Sequence, residues 1–358
     1  MRSPSPIRES RAAPAAPTTG PARSPSSARR RRTAAVYGVL TVAMVVVLTA
    51  SMFQGAGSLG DPHLRSTLLL LRASRVAAAG LVGASLAVGG VIVQGLFRNP
   101  LADVSLIGTS AGAMLGGNAS LLAIEFVLQG RGIRGVPPDV VLPVGCLAGA
   151  LFSLALLLMF LRRSSDVLSL ILAGFLFSSL FLSVTSLVTS MAQERWELGR
   201  AVISLTLGGV ATTGPLQIAL AAPLVFSGLL ASWFWAKPLD VLLSGDEEAA
   251  SLGVDVARVR RYCILWVAVL TAGAVALGGN IAFVGLLVPH ALRPFLGVEH
   301  RRLVPVSAVA GATFVAACDL LARVLPGRSE VPLGVITGLV GAPAFLVLLS
   351  RSQRGTAS

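Results

Sequence analysis

The feature that most constrains this chain is a succession of apolar runs of membrane length, separated by short polar or glycine–proline breaks. A helix needs roughly 20 apolar residues to cross the hydrocarbon core of a bilayer. Runs of that order recur from Ala34 almost to the C-terminus. With 54% of residues hydrophobic, 13% charged and a mean hydropathy of +0.80, no water-soluble core could hide the apolar surface. The runs are continuous and rich in Leu, Ala and Val rather than alternating, which argues against a membrane β-barrel. The expected fold is an all-α polytopic membrane protein of about ten transmembrane helices with an inverted-repeat-like core.

Charge divides the chain unevenly. Residues 1–33 hold eight Arg and one Glu, so this segment carries +7 of the formal +13. Its Ser, Pro, Ala and Arg composition, ending in Arg29 to Arg32, predicts a disordered basic cytoplasmic tail that orients the first helix and touches anionic lipid. The basic balance therefore points to membrane lipid and not to nucleic acid. The membrane-spanning body is expected over 34–352, with a short cytoplasmic tail at 353–358. The sole lysine, Lys237, precedes Pro238, so the chain has no GxxxxGK[ST] phosphate loop. If ATP drives this protein, another polypeptide binds it, and no cofactor is expected in this chain. Cys146, Cys263 and Cys318 are scattered through apolar stretches without metal-ligand spacing, and His63, His290 and His300 share none either. No metal site and no paired acids or nucleophile–base set for an intramembrane enzyme emerge.

The spans are expected at about 34–54, from Arg72 and Arg75 to Phe97, then 105–127, 140–161, 166–190, 215–236, 258–278, a short one ending at Pro289-His290, 303–322 and 331–350. Arg98-Asn99-Pro100 breaks the second. The third is dense in small residues, which suits close helix packing. Residues 197–210 are too short to cross and are expected to form a helix at the outer mouth. This count leaves both termini cytoplasmic in a cell membrane. Arg72-x-x-Arg75, Ala87-Val88-Gly89-Gly90-x-Ile92 and Pro100 are echoed by Arg258-x-x-Arg261, Ala276-Leu277-Gly278-Gly279-x-Ile281 and Pro289. In the expected topology the copies cross in opposite directions, the inverted-repeat plan of many transporters.

One polar stretch stands out inside this apolar frame: Leu242 to Val259, LLSGDEEAASLGVDVARV. Asp246, Glu247 and Glu248 precede a Gly253 placed to end a helix. The stretch reads as one or two short amphipathic helices outside the bilayer, or as a plain solvated connection. Asp319 is an acid within the ninth span, a position that suggests a functional group. Arg323 lies one turn on, so an intrahelical ion pair explains it more cheaply than a proton relay. His290, between Pro289 and Arg293, is expected to be a polar cap at a cytoplasmic helix end.

Four stretches together resemble the FecCD family, the permease subunits of ABC importers for iron–siderophores, haem and cobalamin. They are QGLFRNPLADVSLIGTSAGA from Gln94, SGDEEAASLGV from Ser244, GGNIAFVGLLVPHALRPFLGVEHRRLVP from Gly278 and EVPLGVITGLVGAPAFLVLL from Glu330. The resemblance covers roughly residues 60–352. It implies ten spans and a permease that does no covalent chemistry and is not an enzyme. Its partners would be an ABC ATPase dimer, a second permease subunit (a copy or a paralogue) and an extracytoplasmic substrate-binding protein. It also implies that Gly245, Asp246, Glu247, Glu248, Leu252 and Gly253 couple to the ATPase. On that reading the acids meet the partner, while Leu243 and Leu252 anchor the element to the membrane domain. Arg72, Arg75 and Arg323 match arginines that dock the binding protein, unless they simply snorkel at the interface. Phe177, Phe181, Trp196, Gly199 and Arg200 are expected along the translocation path or its gate. The sequence departs from the family pattern at Val104, where proline is usual, and at Arg200, where Trp196-Glu197-Leu198-Gly199-Arg200 replaces W-x-x-G-S. Iron–siderophore import is the leading reading. Haem or cobalamin import remains open, as does a proton-coupled secondary transporter using Asp319.

Overall fold

A computed structural model describes residues 25–54, 62–124, 138–161, 167–192, 196–325 and 330–356. Most of the basic tail, Arg131, Arg134 and Arg328 lie outside them. The described residues contain helices and no strands.

The chain shuttles between two polar ends, one carrying the acidic segment around Asp246 and the other a cavity. Helix α1 (Pro25–Phe53) runs toward the cavity end, α2 (Pro62–Leu96) returns, and Arg98 in the left-handed region (φ 49°) terminates it. The break expected at Arg98-Asn99-Pro100 is thus real, with the Leu101 amide donating to Asn99 Oδ1 at 2.9 Å. The third span does not start at once. A 3-10 turn, Val104–Ile107, comes first, capped by Asp103, whose carboxylate accepts from the Ser105 amide at 3.2 Å. Helix α3 (Thr109–Ala123) then climbs to the cavity end. Val104 is buried, and its side chain fills the space beside Gly89 and Gly285.

Helices α4 (Pro138–Leu161) and α5 (Val167–Ala192) complete a further return trip. Helix α6 (Trp196–Leu207) is the short helix expected at the mouth, and α7 (Pro215–Phe234) descends from it. Two short helices follow at the acidic end, α8 (Ala236–Leu242) and α9 (Asp246–Ser251). Helix α10 (Val256–Gly278) rises, α11 (Val284–Leu296) falls, α12 (His300–Val324) rises and α13 (Leu333–Thr356) falls. Eight of these helices are long and apolar enough to span a bilayer. Helices α3 and α11, with 15 and 13 residues, reach only ~20 Å each at 1.5 Å per residue. Together they make up the ten passages counted from the sequence. Several boundaries differ: α1 begins at Pro25, inside the segment expected to be disordered, α2 begins at Pro62 rather than at Arg72, and the short span does not stop at Pro289-His290 but continues to Leu296. At Pro289 an outside donor reaches the carbonyl that proline leaves without an amide, as described below.

The frame is centred on α2. Over their most apolar 18 residues, α2 and α10 are 83% and 78% buried, against 6% for α1 and 22% for both α5 and α13. Helix α2 packs antiparallel to α10 and α12, with Gly83 against the Gly311 backbone of α12, and it packs on α11 with Gly90 against the Gly285 backbone. A side chain at either α2 glycine would collide with main chain. Helices α3 and α4 meet through Gly112 and Gly116 facing Gly149 and Gly145. These four glycines form a small-xxx-small seam on each helix, as the composition of the third span led one to expect.

Candidate functional site

At the acidic end, local sequence builds a short helix and tertiary contacts pin it. Gly245 takes a positive φ of 125°, which lets the chain turn out of α8 and start α9 with Asp246, Glu247 and Glu248 in its first turn. Acids there suit the positive end of the helix dipole. Asp246, 39% exposed, is also held from within: its carboxylate accepts from Arg98 Nη2 at 3.2 Å and from Arg260 Nη2 at 2.7 Å. It therefore staples α9 to the end of α2 and to the first turn of α10. Glu247, Glu248 and Gly253 are exposed.

Leu252, expected to anchor the element, is 70% exposed; Leu239, Leu242 and Ala249 are fully buried and do that work. The reason is helical phase, since Ala249 lies on the inner face of α9 and Leu252 has already passed into the turn after it. Nearby, Asp240 of α8 accepts from the His300 amide at 2.8 Å and from its ring Nδ1 at 2.7 Å, tying α8 to the start of α12. His290 is not a cap. It lies mid-helix in α11 with its ring edge-on to Phe345 of α13, centroids 5.3 Å apart.

At the cavity end, the expected Asp319–Arg323 pair is present within α12, and a third member joins it. Arg75 of α2 reaches the same carboxylate, Nη2 to Oδ1 at 2.8 Å, and places Nη1 2.8 Å from Glu330 Oε2. Arg323 Nη1 also donates to the carbonyls of Ser51 and Gln54, and Arg72 Nη1 donates to that of Met52 at 2.9 Å. These are the final-turn carbonyls of α1, which lack helical donors and favour a cation. Of the three arginines read as docking residues, Arg72 is buried and the Arg323 side chain is 4% exposed. Arg75, at 14%, shares its outer edge with Glu330, itself 45% exposed.

Beside this cluster opens a cavity of about 750 Å³ whose polar lining includes Arg75, Asp139, Arg200, Gln217, Asp319 and Glu330. Its floor is sewn together by main-chain bonds around Gly208 (φ 76°). The Leu333 amide donates to the Gly208 carbonyl at 2.9 Å, the Gly209 amide to Gly278 at 2.8 Å and the Asn280 amide to Leu205 at 3.0 Å. The end of α6, the end of α10 and the start of α13 are therefore tied into one knot.

The residues expected along the path fall into separate places. Arg200 is exposed and lines the cavity, whereas Gly199 beside it is buried. Phe181 is buried, 6.2 Å in ring-centroid distance from both Phe152 and Phe177, so it packs α5 against α4 within this chain. The Trp196 side chain lies outside the described residues. Sequence reasoning gave no role to Gln94, Arg98 or Asp240, whose long-range partners carry no local signal. All three cysteines are free and buried.

Comparison with known proteins agrees with this architecture. The chain is 35% identical over 334 residues to the hemin transport system permease protein HmuU of Yersinia pestis, covering 89% of this chain and 96% of that one. It is 36% identical over 286 residues to the Fe(3+) dicitrate transport system permease protein FecD of Escherichia coli (strain K12), covering 80% and 86%. A solved ABC transporter assigned to the metal-chelate type, in an inward-facing conformation, superposes with a TM-score of 0.77 at 32% identity, covering 88% of this chain and 98% of that one. The FecCD transport family matches residues 33–351, so this multi-pass helical membrane protein belongs to the FecCD transport family.

Proposed function

We propose that this chain is the permease subunit of an ABC importer that carries an iron–siderophore-type chelate into the cytoplasm. A separate ATPase would drive it, a second permease subunit would complete the path, and an extracytoplasmic binding protein would load it. One observation carries the reading: a stapled acidic helix at one end and an arginine-rimmed cavity at the other are joined by the buried helix α2. The exposed face of α9, with Glu247 and Glu248, and the exposed Leu252 in the turn after it suit a groove on a partner. Asp246 and its two arginines make the helix stiff enough to transmit a push, which a loose connection could not do. The arrangement also puts the start of α1 and the finish of α13 on the α9 side, which is cytoplasmic in this reading. At the far end, Arg75 and Glu330 offer a charged rim of the kind that steers a docking protein.

The cargo assignment rests on the FecCD match and on the FecD likeness. The test is purification in mild detergent with co-purifying subunits, followed by reconstitution with the binding protein and radio-iron uptake. ATP-dependent accumulation of a ferric siderophore is the expected result. Uptake of haemin or cobalamin with no ferric siderophore transport would overturn the cargo assignment. Purification of the chain without an ATPase in several detergents would overturn the coupling assignment and return attention to Asp319.

A further inference from the structure

Helix α11 carries Pro289 four residues after Gly285. In a regular helix the Gly285 carbonyl would accept from the amide of residue 289, and proline has no amide hydrogen to give. The missing donor comes from another helix. Gln94 of α2 is 1% exposed, and its Nε2 donates to the Gly285 carbonyl at 3.1 Å. The other end of the same amide is also used, since Gln94 Oε1 accepts from Arg293 Nη2 at 2.9 Å. One buried side chain thus holds both the first and the last turn of the shortest passage through the frame. Glycine at 90 makes this possible by letting α2 approach the Gly285 backbone. Four residues beyond Gln94, Arg98 holds Asp246 of α9, and Gly95 between them packs on the His300 ring.

We infer that Gln94 is a positioning residue for transport: it mends the gap at Pro289 in α11 and locks this helix to the segment of α2 that grips α9. A displacement of α9 then reaches α11 through a few bonds and not through the bilayer-facing helices. The inference rests on the importer reading, in which α9 receives the partner's movement. Proline supplies a weak point in α11 where the helix can bend. Gln94 holds that weak point through its bond to the Gly285 carbonyl.

The experiment uses the full co-purified complex in proteoliposomes, with ATP turnover and uptake of the transported ferric siderophore measured on the same vesicles. ATP-driven uptake by the parent complex tests the importer reading separately, so a loss confined to variants speaks to Gln94 alone. For Q94L we expect normal assembly, retained ATP turnover and uptake per ATP lower by about tenfold, the scale of a typical coupling between sites. Adding P289A gives Gly285 its own helical donor, so the Q94L/P289A pair should recover part of that loss. If Q94L reduces turnover and uptake in equal proportion, or changes neither, the inference is overturned. It is also overturned if P289A brings no recovery. Should Q94L fail to accumulate, Q94E keeps an acceptor for Arg293 while losing the donor, and the same reduced ratio is expected of it.

Discussion

Replacing Asp319 by asparagine tests the cavity-end cluster most directly. Its carboxylate is 2% exposed and lies between the Arg323 side chain, 4% exposed, and Arg75, 14% exposed. Asp319→Asn preserves shape and one acceptor but leaves two mostly buried guanidiniums short of an anion. Removing one partner of a buried ion pair costs about 3–5 kcal/mol. Arg75 keeps Glu330, and Arg323 keeps the Ser51 and Gln54 carbonyls, which places this case at the low end, about 3 kcal/mol.

A reporter is built in, since Cys318 adjoins Asp319 and is free and buried. Its labelling by a thiol reagent under native conditions measures local opening, and about 3 kcal/mol corresponds to labelling faster by roughly a hundredfold. The parent and the variant are compared in the same detergent, with Cys146 and Cys263 replaced to isolate the signal. Labelling within threefold of the parent, alongside abolished uptake, would refute the structural account and favour proton coupling through Asp319. Unchanged labelling with unchanged uptake would show that the buried cluster contributes nothing to either.

Three further outcomes are expected. Asp246→Asn loses two partly exposed ion pairs, so folding should change by no more than about 2 kcal/mol while ATP-driven uptake falls sharply; thermal unfolding and uptake measured together decide it. Glu330→Gln frees the outer edge of Arg75, so the binding protein should dock about twofold to fivefold more tightly at low salt, as read by surface plasmon resonance on the nanodisc complex. Weaker docking would mean that Glu330 itself contacts the binding protein. Gly116→Leu would drive a side chain into the backbone of Gly145 and Gly149, and the folded, detergent-extractable yield should collapse while Gly38→Leu, on open surface, leaves it unchanged.

Much of the frame was legible in the chain because crossing a bilayer is a local property. A run such as Pro215–Phe234 is apolar along nearly its whole length, and its ends are marked by glycine, proline or charge. The same holds for the Arg98-Asn99-Pro100 break and the glycines of α3, which announce close packing without naming the partner. The Asp319–Arg323 pair was visible too, one turn apart on one helix. Legibility stopped where a residue's role depends on a neighbour remote in sequence. Leu252 looked like an anchor because it is apolar; its position relative to Ala249 decided otherwise. Phe181 looked like a path residue because its helix does, yet it turns toward Phe152 of α4.

The sequence by itself determined that this chain crosses a membrane repeatedly, where it turns, and that an acidic segment near Asp246 breaks the apolar frame. Those properties follow from transfer of side chains between water and hydrocarbon, summed over a window of residues. Tertiary structure alone decided which charges meet: Arg75 with Asp319 across 244 positions, Arg98 with Asp246 across 148, and Gln94 with the carbonyl stranded by Pro289. In a low-dielectric interior each buried polar group must find a partner. That demand is felt by every such group along the chain, but only the packing of α2 against α10, α11 and α12 determines which partner answers it.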